Sequence, residues 1–179
     1  MHPGERLRAL EALPPLVARA LEGLTPGDLR RRPRDGGFAL VEHVWHLADM
    51  EVEAFASRLE RLLSEDRPVL PDFDGDGAAL DRRYLSCDAS QALKAFEAAR
   101  AGILVVLGAL PERAWARAGT HEVLGPLTLG DLPEQMLRHD LSHAGELAGL
   151  LEEISPGHPA IEPLRELAAG GRPAGWRAA

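Results

Sequence analysis

The chain has a single cysteine among 179 residues, Cys87, so no intrachain disulfide can form, and such usage suits a reducing compartment such as the cytoplasm. Aromatic residues make up only 4%, and with the abundance of Ala, Leu, Glu and Arg this favours helices over strands. The formal net charge of −8 weakens the electrostatic footing of a phosphate-backbone surface, so nucleic acid is not an expected partner. The longest apolar run, Ala101 to Leu110, is about half of the ~20 residues that span a bilayer and reads as a buried helix segment. The opening "MHPGERLRAL" lacks the basic, apolar and small-residue succession of a secretion signal. The expectation is a soluble, cytoplasmic protein with no membrane partner, folded as one all-α domain over residues 1–169 with a Gly/Pro-rich tail at 170–179 that is loosely held or docked by Trp176.

The apolar residues repeat at helical spacing in four main segments. The first runs from about Glu5 to Leu24 and should kink or split at Pro14 and Pro15. A second, from about Ala39 to Leu63, carries Leu40, Val44, Leu47, Val52, Phe55, Leu59 and Leu62 on one stripe. Residues 65–88 contain Pro68, Pro71, Gly75 and Gly77 and no sustained period, which marks a long crossover. The third helix begins near Asp88 or Ser90, either a good N-cap, and ends before Pro111. Cys87 precedes it in "YLSCDAS", a capping context and not that of a nucleophile. "HEVLGPLTL" suggests a short hairpin, and the fourth helix follows from about Asp131 to Ile154, with Pro133 tolerated in its first turn. A short helix near Ile161 to Ala168 closes the pattern. Four helices with one long connection predict a bundle, whose metal sites are built from side chains projecting inward on facing helices.

Histidines stand out within this frame. His139 and His143 in "HDLSH" are four apart and point the same way, about 40° from one another around the axis. Two ligands of a divalent ion are thereby at hand, and a third must come from another element. The second helix offers His43 and His46, about 60° apart. Glu42, Asp49, Asp140 and Glu146 lie close enough in sequence to receive the second N–H of a ligating imidazole, although Asp49 and Asp140 read equally as solvated face residues. His2, His121 and His158 fall in loop-like contexts and read as surface residues. "DFDGDG", from Asp72 to Gly77, opens like a calcium loop, but its twelfth position is Arg83 where a bidentate Glu is required, so it reads as an acidic turn of the crossover, placed to border the pocket.

Two stretches, "LTPGDLRRRPRDGGFALVEHVWHLADME" and "LPERAWARAGTHEVLGPLTLGDLPEQMLRHDLSHAGELAGLLEE", resemble the second-helix entry and the final helix of the DinB family and its bacillithiol-transferase-like relatives. The resemblance covers about residues 20 to 154. It implies a four-helix bundle with up-up-down-down connections, often a homodimer, and a metal held by His46, His139 and His143. His43 occupies the family's more variable position and is the reserve ligand. Met50 stands where some relatives carry a further histidine, and Glu146 where relatives often carry Gln, which leaves its contact with the metal or its water open.

Three neutral imidazoles with open positions suit Zn²⁺, Ni²⁺ or Fe²⁺ and lower the pKa of a bound water or thiol. The expected activity is that of a metal-dependent hydrolase or thiol S-transferase acting on a small molecule or a low-molecular-weight thiol. The alternative is a non-catalytic dimeric bundle whose metal is structural or sensory.

Overall fold

A computed structural model describes residues 3–170. The tail expected to be loosely held or docked by Trp176 lies beyond them, as does His2. The first helical segment is split into α1 (Pro3–Ala9) and α2 (Leu13–Leu21), and α3 (Pro26–Leu29) is a single capped turn. The second long helix comprises α4 (Leu40–Asp49), a π-helical stretch (Met50–Ala56) and α5 (Ser57–Ser64). The crossover contains β1 (Val69–Leu70) and α6 (Gly75–Asp81). Then come α7 (Ala89–Gly108), the hairpin β2 (Ala118–His121) and β3 (Gly125–Thr128), α8 (Leu132–Ile154) and α9 (Ile161–Ala168).

Local chemistry explains the boundaries. Pro14 has no N–H to offer the carbonyl of Leu10 four residues before it, so the first helix breaks there. The Asp88 carboxylate accepts from the N–H groups of Ser90 and Gln91 at 2.8 and 2.9 Å, which settles the N-cap of α7 on Asp88. In the calcium-like stretch, Asp74 accepts from Gly77 N at 2.9 Å and caps α6. Thr128 and Asp131 form a reciprocal capping box at the entry to α8.

The core has two principal layers. One joins α2, α4, the start of α7, the end of α8 and α9 through Leu13, Leu40, Phe96, Leu147 and Leu164. The other joins Leu10, the π-helical stretch, α5, the end of α7 and the start of α8 through Phe55, Leu59, Leu107 and Leu132. The order in which each helix visits the layers gives its direction. The first and fourth helices run one way, and the second and third run the other.

The bundle and its crossover between helices two and three stand where the sequence puts them. The sense is up-down-down-up, a correction to the expected up-up-down-down order. Parallel helices two and three require a connection that returns along the bundle, which residues 65–88 supply. On the way back β1 pairs in parallel with β2, Val69 opposite Thr120, and joins the expected hairpin into a three-stranded sheet. No helix among the described residues is long and apolar enough to cross a membrane.

The π-helical stretch changes which residues face inward. Val52, on the predicted apolar stripe, is 53% exposed, whereas Glu51 is buried at 1%. The wider turn retards the rotation per residue and brings Glu51 to the axis. There it meets Arg100 of α7, whose Nη2 donates to Glu51 at 2.6 Å. Arg100 also grips Asp140 of α8 through two bonds of 2.8 Å and donates to the freed Leu10 carbonyl at 2.7 Å. One guanidinium thus ties all four main helices together.

Two histidines read as surface residues are buried, His121 at 1% and His158 at 8% exposure. His121 Nδ1 accepts from the N–H groups of Val123 and Leu124 inside the hairpin. His158 donates from Nε2 to Glu22 O at 2.9 Å and accepts at Nδ1 from Ala160 N, closing the chain between α2 and α9. Both serve backbone groups at turns that secondary structure leaves unpaired.

Candidate metal centre

The histidines converge where α4 faces α8. Nε2 of His139 lies 3.2 Å from Nε2 of His46 and 3.1 Å from Nε2 of His143. Metal–nitrogen bonds of about 2.0–2.1 Å place tetrahedral donors roughly 3.3–3.4 Å apart and octahedral neighbours roughly 3.0 Å apart, so this spacing matches donors around one ion. The three form one compact donor group.

Burial keeps two of these rings, those of His46 and His139, neutral. Burial, reinforced by neighbouring histidines, lowers the His46 pKa from 6.5 to about 4 and that of His139 to about 2. A neutral imidazole carries one proton, and His143 has an acceptor for it at Nδ1, where Glu146 Oε2 is 3.2 Å away. With that proton outward, the Nε2 lone pair of His143 points into the triad. The buried Nδ1 atoms of His46 and His139 have no hydrogen-bond partner among the described residues. Protons placed on those atoms leave three lone pairs facing one another, an arrangement that a cation relieves and that hydrogen bonds among three neutral rings cannot satisfy together. The donor set therefore fits a divalent metal of the zinc, nickel or iron type.

His43 and Glu146 form a second possible donor group with the same His143, and the other candidates fall elsewhere. His43, the reserve ligand, is 4% exposed and faces the opposite nitrogen of His143, Nδ1 to Nδ1 at 3.2 Å. It stands beside His143 and lines the cleft, and burial lowers its own pKa to about 3. Glu146 serves His143, and a hydrogen bond from Ser142 Oγ at 2.9 Å steadies its other oxygen. The link to His143 is the main reason its carboxyl pKa drops from 4.5 to about 2, so it stays ionised.

Asp49 and Asp140 do not hydrogen-bond to the histidines, a correction to their expected supporting role. Asp49 binds Arg82 at 2.5 Å and the Tyr84 hydroxyl, pinning the crossover to the second helix. Asp140 turns to the other side of α8, into Arg100. A stronger electrostatic partner claims each carboxylate. Glu42 likewise caps α4 through Ala39 N at 2.9 Å and pairs with Arg32.

The centre opens on a cleft of about 710 Å³. The loop before α4 supplies Phe38, whose ring is 5.6 Å from those of both His43 and His46. From the opposite side α6 contributes Asp76 and Leu80. Phe55 closes the inner end against His139 at 5.7 Å. Asp76 belongs to the acidic turn expected to border the pocket, whereas Phe38 sits in a loop with no period to assign it to a wall. Arg100 went unnoticed in the sequence, and its only signal there is a charge within a helix otherwise expected to be mostly core.

Comparison with known proteins bears on this geometry. The family model of the DinB superfamily matches residues 9–147. A Geobacillus thermodenitrificans protein named "Putative metal-dependent hydrolase" is 36% identical over 70 residues, which span 39% of this chain and 39% of that relative's length. The structure of YfiT from Bacillus subtilis, described as a probable metal-dependent hydrolase with an unusual four-helix bundle topology, matches with a TM-score of 0.77. The match covers 84% of this chain and 86% of that one at 22% identity, a likeness of fold.

Proposed function

The chain belongs to the DinB superfamily, and from that premise we propose that it is a metal-dependent hydrolase holding one divalent ion on His46, His139 and His143. The observation that carries this reading is the convergence of three Nε2 atoms beside an open cleft that His46 and His143 line. When bound, the ion supplies the Lewis acidity that brings water, or a thiol, within reach of deprotonation near neutral pH.

The residues of the chain do the positioning. Glu146 keeps the His143 proton at Nδ1 and so directs Nε2 inward. His43 packs edge-on against the same ring and limits its rotation. Phe38 and Phe55 flank the imidazoles and restrict water to the cleft side. A thiol-transfer reaction would use the same residues, and 710 Å³ has room for a low-molecular-weight thiol beside its electrophile.

Metal analysis of the purified protein and of His46→Ala and His139→Ala is the first test. One equivalent of metal in the parent, lost in both variants, is expected. A protein that holds no metal and is indifferent to both substitutions refutes the reading. Assays with model esters, and with a thiol plus a model electrophile, then separate hydrolysis from transfer. A coordinatively closed, inert metal would assign the ion to structure instead.

A further inference from the structure

Resting on the hydrolase reading, we propose that the cleft selects a substrate that carries a positive charge on an apolar body and disfavours anionic substrates. The argument begins with the charges that line it. Five carboxylates, those of Asp35, Glu42, Asp76, Glu146 and Glu153, face one guanidinium, Arg32. The whole chain has 28 acidic to 20 basic residues, so the imbalance in the cleft exceeds the background.

Arg32 is also unavailable to a substrate anion. Its Nη2 is 2.5 Å from Glu42 Oε1, while the other oxygen of that carboxylate caps α4, so the pair is locked into the helix entry. Asp35, Asp76 and Glu153 have no ion-pair partner among the described residues. Two of them are held in place: Asp35 accepts from Gly37 N at 3.0 Å and Glu153 from Arg34 N at 3.2 Å. With Glu146 they outnumber the two positive charges that a divalent ion adds, so the loaded cleft remains negative. Fixed carboxylates around a concave, partly apolar wall focus that field on whatever enters.

The apolar half of the recognition is separate. Leu80 borders the cleft while 74% exposed, a large apolar side chain left in water on the face of α6 that meets the site. Phe38 presents an aromatic ring on the other side, a surface that takes an aliphatic chain or the face of an ammonium group. An alkyl or aryl ammonium compound satisfies both walls together. A substrate bearing a carboxylate or phosphate beyond its reacting group meets only repulsion there.

Two probes that are poor metal ligands test this on the full chain loaded with one equivalent of zinc: benzyltrimethylammonium and phenylmethanesulfonate, titrated by calorimetry or NMR. The cation should bind at least about tenfold more tightly at low salt, with the gap shrinking as the Debye length shortens. Asp76→Asn combined with Glu153→Gln should reduce that preference by about tenfold while zinc content stays at the parent level. Rates on p-nitrophenyl esters whose acyl chain ends in trimethylammonium or carboxylate should follow the same order. Equal affinity for the two probes, or a preference for the sulfonate, overturns the selection. If zinc is not retained but the cation preference persists, the hydrolase reading falls and the charge selection stands. If zinc is held and both esters turn over equally, the hydrolase reading stands and the selection falls.

Discussion

Gly75 approaches His46 so closely that a Cβ on the glycine would come within 2.6 Å of the imidazole Nδ1. The first residue of α6 therefore rests on a candidate ligand, and only a hydrogen side chain fits between backbone and ring. The crossover is part of the wall of the metal centre.

Gly75→Ala should displace His46 or lift α6, and metal affinity should fall by at least about tenfold, the scale seen when a ligand's supporting contacts are disturbed. Competition titration with a chromogenic chelator measures it. Gly102→Ala is the matched control, because nothing lies within 4 Å of the Cβ built there. In the middle of α7 it should leave affinity alone and add about 0.5–1 kcal/mol of stability. Unchanged affinity in Gly75→Ala contradicts the contact.

Glu146 holds the tautomer of His143, so its removal should be felt at the metal without any loss of a ligand. Glu146→Ala should weaken binding by about 10–100-fold, and Glu146→Gln, whose amide oxygen still accepts from Nδ1, should recover most of it. An Ala variant that binds metal like the parent would show that His143 needs no such partner.

Acid should destabilise the metal-free protein in a defined window. The unfolded chain takes up protons on its histidines near pH 6.5, whereas burial holds His46 in the fold neutral down to about pH 4 and His139 to about pH 2. Between those limits the unfolded state binds more protons, so stability declines as pH falls below 6.5. Thermal unfolding from pH 7.5 to 4.5 in chelator should show that decline, and His139→Leu should make it shallower. An identical slope in the variant would remove His139 from the account.

Arg100 balances two buried carboxylates, and desolvation raises the pKa of Glu51 and of Asp140 against its pull. Arg100→Met leaves both without a partner and the Leu10 carbonyl bare, at a cost of about 3–5 kcal/mol. Urea denaturation reads the loss directly. A change below about 1 kcal/mol would mean that the network is not what ties the helices together.

Much of the frame was legible in the chain because it depends on neighbours in sequence. Pro14 had to break the first helix, Asp131 and Pro133 had to open α8, and the spacing of His139 and His143 had to put them on one face. The choice of His46 over His43 came from family resemblance, and the structure supplies its geometry: His46 turns Nε2 to His139, while His43 meets the far side of His143. Asp49 and Asp140 could not be assigned from position, since Arg82, Tyr84 and Arg100 compete for them across 33 to 40 residues of chain.

The sequence by itself determined a mostly helical chain with one short hairpin, most of its helix boundaries and a set of imidazoles able to meet, because periodicity and capping act over a few residues. Only the tertiary structure decided the helix directions, the π-helical turn that buries Glu51 in place of Val52, and the cleft assembled from loop, crossover and α8. Those features rest on packing and charge pairing between distant segments, which local spacing does not encode.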